Sequence, residues 1–289
     1  MLDVNPSLKI PDREALLLRL GLSDYHLFNL ENAERAVGIR GQRVLEVGGN
    51  LPREMVIDMF GAKQWIGVED FSHYDETSEL GNVLRPTNVL VKLAEAPDPA
   101  ELPNYALASG KIEELPSTFE GKFDRIFSIA CFEHITTLGF SLEKMWLALA
   151  PGGMLYSYFA PIWPSPIGHH LPRITDSSGK TFSFTSSPID PWAHLVMTPP
   201  EMFHHLRSHT DIKTASVMTF YIYNSSFINR LFVEDYEHFF RASKFSILHT
   251  QNIQTIEMPK GVEKILRARN PPYKIFNSSG MLVVLKRDS

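Results

Sequence analysis

The chain has 289 residues, 44% of them hydrophobic, a formal net charge of −5 and a single cysteine, Cys131. That length and apolar content suffice for a sizeable core, in one large domain or two ordinary ones. One cysteine excludes an internal disulfide framework and a cysteine-rich zinc site. The absence of a basic stripe argues against nucleic acid as a partner. Residues 1–12 lack the form of a signal peptide, and no apolar run approaches the ~20 residues of a membrane helix. The expectation is a cytoplasmic protein with no membrane partner.

Apolar periodicity predicts helices over 12–20 and 26–38, forming an N-terminal cap (residues 1–40) with Tyr25 or Phe28 facing a ligand. Val44-Leu45-Glu46-Val47-Gly48-Gly49-Asn50 then reads as a strand that stops at two glycines and an asparagine. A helix from Leu51 to Phe60 follows, with Pro52 in its first turn. Strand, glycine turn and helix form the unit that brings backbone N–H groups close to a nucleotide. A second strand, Gln64 to Val68, ends in Glu69-Asp70. An acid at that place, roughly 20 residues past a glycine turn, suits ribose hydroxyls, because a carboxylate accepts from both at once. Glu69 is the favoured partner, with Asp70 beside it.

Residues 71–104 exceed an ordinary crossover and carry four prolines, with a helix expected at about 87–96. A short third strand, Tyr105–Ser109, leads into Gly110-Lys111-Ile112-Glu113-Glu114-Leu115-Pro116. Phe123 to Ile129 is a fourth strand, Ser141 to Ala150 a helix closed by Pro151-Gly152-Gly153, and Met154 to Phe159 a fifth strand. This alternation predicts a parallel sheet covered on both faces. Residues 161–232 depart from the pattern and read as a lid inserted after the fifth strand. Thr198-Pro199-Pro200-Glu201 has the form of a capping box, so a helix should begin at 199. A helix over Val233–Ser243, a strand over Phe245–His249, a helix over Val262–Arg269 and a last strand over Gly280–Lys286 complete the chain.

The lid carries His169, His170 and His194. A histidine of near-neutral pKa can take the proton that a hydroxyl or amine nucleophile loses, so these three are the candidate catalytic bases. Three histidines can also hold zinc, but no motif fixes their spacing and no metal is assigned. Trp163, Tyr221 and Tyr223, with Trp192, are candidates for lining an acceptor pocket, or else form ordinary lid core.

Five stretches in register resemble the class I S-adenosylmethionine-dependent methyltransferases: "VLEVGGN", "GVED", "GKIEELP", "FDRIFSIACFEHI" and "LAPGGMLYSYFAP". The resemblance covers about residues 40–160 and resumes weakly at the C-terminus. It implies a Rossmann-like α/β fold with seven mostly parallel strands, helices on both faces, and an antiparallel last strand between the fifth and sixth. It also implies that Glu46, Gly48, Gly49 and Asn50 surround the methionine part of the cofactor and that Glu69 binds the ribose. Lys111 and Ile112 would border the adenine, and Cys131 and Phe132 the transferable methyl. Two departures stand out: the third glycine of the family's loop is replaced, leaving Gly48-Gly49-Asn50-Leu51, and Lys111 stands where an acid often follows the glycine of the adenine motif. Glu133-His134 offers an acid–base pair, although that dipeptide is more often structural in the family.

The reading is one methyltransferase domain (residues 41–289) behind the N-terminal cap. It uses S-adenosyl-L-methionine, releases S-adenosyl-L-homocysteine, and methylates an oxygen or nitrogen of a small-molecule acceptor. The alternatives are non-methylating chemistry on the same cofactor's aminocarboxypropyl arm and a non-catalytic cofactor-binding protein. Oligomeric state, monomer or homodimer, is left open.

Overall fold

The central strands are buried on both faces, and their successive side chains enter alternate layers of core about one sheet. The computed structural model describes residues 13–70 and 90–289. Strands β1 (Arg43–Val47), β2 (Gln64–Glu69), β3 (Leu90–Lys92), β4 (Tyr105–Ser109), β5 (Phe123–Ile129), β6 (Leu149–Phe159), β9 (Ser246–Ile253) and β10 (Gly280–Lys286) form an eight-stranded sheet of order β3-β4-β2-β1-β5-β6-β10-β9. β10 is antiparallel to both neighbours, and the other pairings are parallel. The expected place of the last strand is therefore observed.

On β1, Val44 faces one layer and Leu45 and Val47 the other. β5 and β10 divide the same way, with Ile126, Met281, Val283 and Leu285 on one face and Phe127 and Val284 on the other. The first layer is closed by α3 (Leu138–Ala148) and α7 (Val233–Ala242), through Leu142, Met145, Tyr236 and Phe240. The second is closed by α1 (Arg13–Arg19), α2 (Asp24–Val37) and the helix after the glycine turn, through Leu17, Leu27, Leu30, Met55 and Val56. Burying such side chains contributes roughly 1.5–3 kcal/mol each, an upper estimate before ordering costs.

Four expectations are corrected. The sheet has eight strands, because β3 and a 3₁₀ turn at Leu93–Glu95 stand where a helix over 87–96 was expected; residues 87–89 of that helix lie outside the described residues. The helix after the glycine turn is a wide π-helix, Glu54–Met59, shorter than the expected span from Leu51. The fifth sequence-predicted strand starts at Leu149, and Pro151-Gly152-Gly153 bulges within it: Phe123 pairs with Leu149, but Arg125 pairs with Met154. Gly152 takes φ +79, which a side chain would strain. In the lid, where residues 161–198 suggest only loop or short helix, a small hairpin forms from β7 (Ile174–Thr175) and β8 (Thr181–Phe182).

The lid also contains α4 (Ala193–Val196), α5 (Pro199–Arg207) and α6 (Ile212–Tyr223). The capping box forms as expected, with the Thr198 N–H and hydroxyl both donating to the Glu201 carboxylate at 2.7 and 2.8 Å. A separate core holds the lid together, built from Trp163, Leu171, Trp192, Met202, Met218 and Ile222. Leu266 of α8 (Lys260–Arg269) and Phe276 join that core, so the segment before β10 braces the lid.

Candidate functional site

Strand order reverses between β1 and β5: β2 and β4 lie to one side of β1, β5 and β6 to the other. Ligands of open α/β sheets bind in the crevice at such a switch point, outside the carboxyl ends of the strands. Gly48 leaves β1 there with φ +77, its N–H donating to the Val68 carbonyl at 2.9 Å. A Cβ on Gly48 would lie 2.2 Å from Cys131 Sγ and 2.4 Å from Cys131 Cβ. A Cβ on Gly49 would lie 2.3 Å from Glu46 Oε1, and one on Gly67 would lie 2.9 Å from the Gly49 carbonyl oxygen. The turn is thus packed against its own neighbours, which occupy the space that side chains at Gly48 and Gly49 would need. Asn50 follows it, half-buried.

The sequence reading put Glu46 among the cofactor contacts. Its carboxyl lies beneath the turn instead, 1% exposed, accepting from the Trp65 indole N–H at 2.6 Å and from the Leu51 N–H at 3.1 Å. Burial pushes its pKa up to about 7, against the opposing pull of those hydrogen bonds. The chain's own donors engage this carboxyl, which holds the turn from beneath. Glu69, at the carboxyl end of β2, is only partly covered and is likewise raised to about 7, chiefly by desolvation. Its carbonyl accepts from the Gly110 N–H at 3.0 Å, which ties the adenine-loop segment to β2. Lys111 is exposed and stands 4.0 Å from Asp70, while Ile112 is buried behind it. An ion pair that open to solvent contributes little to stability.

At the end of β5, Ala130 takes φ +47, an unusual value for a residue with a side chain, and the chain turns there to bring Cys131 against Gly48. Burial, then the nearby Glu69 and Glu133 carboxyls, push the Cys131 thiol well up, which favours its protonated form. The Phe132 ring points away from the crevice, fully buried against Phe159 and Phe240 at centroid distances of 5.3 and 6.4 Å. The side chain of Phe132 is thus engaged in the core, although the residue directly follows Cys131. Tyr25 of α2 donates its hydroxyl to the Tyr158 carbonyl at 3.3 Å, and Phe28 meets the Tyr158 ring edge-on at 6.3 Å. The N-terminal helix therefore reaches the carboxyl ends of β5 and β6.

The lid histidines are neutral and engaged. His194 Nε2 lies 2.8 Å from the Trp163 carbonyl, His170 Nδ1 lies 3.2 Å from the Pro161 carbonyl, and His169 Nδ1 accepts from the Leu171 N–H at 3.2 Å. Desolvation pushes His169 and His170 down to about 3 and His194 to about 4. Imidazoles of that basicity are weak proton acceptors, contrary to the near-neutral value the base assignment requires. Trp163 packs edge-on against His194 at 4.7 Å, and Tyr223 donates its hydroxyl to the Met197 carbonyl at 2.9 Å; both belong to the lid core, as does the flank of Tyr221. Among the described residues, no group of three or more His, Cys, Asp or Glu side chains is arranged to hold a metal, and no helix is long and apolar enough to cross a membrane.

Sequence reasoning missed Asn229. Its amide donates to the Phe132 and Ile135 carbonyls at 2.7 and 3.0 Å, and its oxygen accepts from the Leu231 N–H and the Tyr236 hydroxyl at 3.1 and 2.9 Å. Lid, site loop and α7 meet at this one side chain. The sequence carries no local signal for it, since all but one of its partners belong to other segments. Asn229→Leu leaves these groups unpaired and is expected to cost about 2 kcal/mol. Chemical denaturation checks this, and an unchanged midpoint would refute the role.

No protein-family model matches the chain, and no curated protein matches it. Solved structures do. One is an S-adenosylmethionine dependent methyltransferase from Mesorhizobium loti, 15% identical, covering 86% of this chain and 92% of that one, with a TM-score of 0.44. A second comes from Listeria monocytogenes, 13% identical over 87% and 93% of the two chains, with a TM-score of 0.44. A third is phosphoethanolamine N-methyltransferase 2 of Haemonchus contortus, 13% identical over 93% of this chain and 53% of that one, with a TM-score of 0.46. Likeness at these levels leaves the assignment to the chain's own topology. The strand order, with the antiparallel β10 between β6 and β9, defines a Rossmann-like fold of the class I methyltransferase type, extended by β3 at one edge.

Proposed function

We propose that the chain is an S-adenosylmethionine-dependent methyltransferase that methylates an oxygen or nitrogen of a small-molecule acceptor and releases S-adenosylhomocysteine. The observation that carries this reading is the pairing of the bare Gly48-Gly49 turn on β1 with the desolvated Glu69 carboxyl at the end of β2. The first places a strand–glycine turn at the switch-point crevice; the second is a carboxylate at the neighbouring strand end that can accept from two hydroxyls at once. When bound, the cofactor supplies a methyl made electrophilic by its sulfonium.

In this reading the Gly48-Gly49-Asn50 backbone receives the methionine end, and Glu69, with Asp70 beside it, receives the ribose. Ile112 and the stem of Lys111 border the adenine. Cys131 and the backbone of Phe132 border the methyl. The lid, tied down through Asn229, excludes water and orients the acceptor, and orientation alone can supply much of the rate. Trp163, Tyr221 and Tyr223 back the acceptor wall. His169, His170 and His194 act as neutral polar wall groups of the lid, and their replacement by Ala one at a time examines the base role. The acidic net charge favours a small acceptor over a nucleic acid.

Glu69→Ala removes the ribose acceptor and is expected to weaken S-adenosylhomocysteine binding by a factor on the order of ten or more, about 1.4 kcal/mol. Calorimetric titration reads this out. Unchanged affinity in the variant would remove Glu69 from the site.

A further inference from the structure

Glu133 is a buried carboxyl that the proposed function leaves unused. It is fully buried, and neither of its oxygens has a hydrogen-bond partner. Its own N–H and that of Ala160 lie close enough to favour the charged form, but neither meets hydrogen-bond geometry with either oxygen. Burying an acid without partners costs several kcal/mol when it is charged, and about 1–3 kcal/mol even as an unpaired polar group. A fold tolerates such a group where a ligand supplies what the chain withholds.

Its place fits that reading. Glu133 lies two residues after Cys131, whose Sγ rests against the glycine turn of β1. Ala160 directly follows β6. The carboxyl therefore sits between the carboxyl ends of β5 and β6, next to the crevice at the switch point. Tyr25 from α2 and Tyr236 from α7 are the titratable groups that feel its charge from other elements, and Cys131 feels it from the same loop. None is cationic. The neighbouring His134 is already committed to the lid, its Nδ1 bonded to the Phe227 carbonyl.

We infer that the Glu133 carboxyl faces the position of the transferable methyl and accepts the proton of an N–H or O–H acceptor. This rests on the proposed function. In the step, the acceptor heteroatom forms a bond to the methyl carbon as the sulfur–methyl bond breaks. The electron pair of that bond stays on sulfur, leaving a neutral thioether. The acceptor's proton passes to a Glu133 carboxylate oxygen. Desolvation raises Glu133 to about 8, which makes its carboxylate a stronger base than a free one, with the ionised form that the step requires growing as pH rises toward that value.

The test needs no knowledge of the acceptor. Sinefungin carries an amine where the cofactor carries its methyl, and S-adenosylhomocysteine carries nothing there. Calorimetric titration of the full chain compares the two ligands in wild type, in Glu133→Gln, and in the surface control Glu143→Gln. Wild type and the control are expected to bind sinefungin at least about tenfold more tightly than S-adenosylhomocysteine, a difference of about 1.4 kcal/mol. Glu133→Gln is expected to lose that preference while its affinity for S-adenosylhomocysteine changes less than about threefold. A purely structural Glu133 would shift both ligands together.

Equal binding of the two ligands by wild type overturns the inference and leaves the proposed function standing. Retention of the preference in Glu133→Gln does the same. Failure of wild type to bind either ligand sinks both readings. The wild-type ratio decides the matter by itself if Glu133→Gln does not fold.

Discussion

Gly48→Ala is expected to destabilise the protein by about 2–5 kcal/mol and to abolish S-adenosylhomocysteine binding. Two independent terms add. The residue takes φ +77, where a side chain costs roughly 1–2 kcal/mol. Its new Cβ would also lie 2.2 Å from Cys131 Sγ and 2.4 Å from Cys131 Cβ, so the β1 turn and the β5 loop must separate. The two terms can be resolved experimentally. Combining Gly48→Ala with Cys131→Ala leaves the Cβ–Cβ clash and should rescue little. Combining it with Cys131→Gly removes both clashing atoms and should recover the packing share, about 1–3 kcal/mol, leaving the backbone strain. Denaturant titrations of the four proteins measure this. Equal recovery with Ala and Gly at position 131 would mean that contact with Cys131 is not what forbids a side chain at Gly48.

Glu46→Ala is expected to cost about 3–5 kcal/mol, because it strands the Trp65 indole N–H and the Leu51 N–H and opens a cavity under the turn. Glu46→Gln keeps an acceptor in place and separates charge from shape. The carboxyl rises from an ordinary value near 4.5 to about 7 on folding, mainly by desolvation. A raised acid stabilises the fold fully below its unfolded pKa and loses that contribution as pH rises through the folded one. Wild type should therefore lose stability between about pH 4.5 and 7 through this group, by up to about 3 kcal/mol. Glu69 and Glu133 act in the same sense, whereas the buried lid histidines lose stability as pH falls. The informative quantity is thus the difference between wild type and Glu46→Gln across that window. A constant difference would show that Glu46 does not change its proton affinity on folding.

The central sheet was legible in the sequence because its strands are apolar runs punctuated by glycine and proline, and because one face of β1 and β5 must alternate with the other. The Thr198 capping box was legible for the same local reason: donor and acceptor lie three residues apart. The misses arise where distant groups decide the conformation. β3 depends on pairing with β4, which no periodicity over 87–96 reveals. The strand at Leu149 depends on Phe123 across the sheet, so helix propensity and the Pro-Gly-Gly turn placed its start too late. Phe132 looked like a cleft residue by position, yet Phe159 and Phe240 draw its ring into the core. The basicity of His169, His170 and His194 is set by their burial in the lid core, which their spacing does not encode. Asn229 stands out only after folding, by how many groups it satisfies, and the sequence offered Glu133 only as half of an acid–base pair, without the burial that leaves its oxygens unpaired.

The most direct test of the proposed function is calorimetric titration of the wild-type protein with S-adenosylmethionine and with S-adenosylhomocysteine. Micromolar binding of both, at one site per chain, is the expected result. Absence of heat with either ligand, in protein shown to be folded, would contradict the methyltransferase reading and leave only the fold.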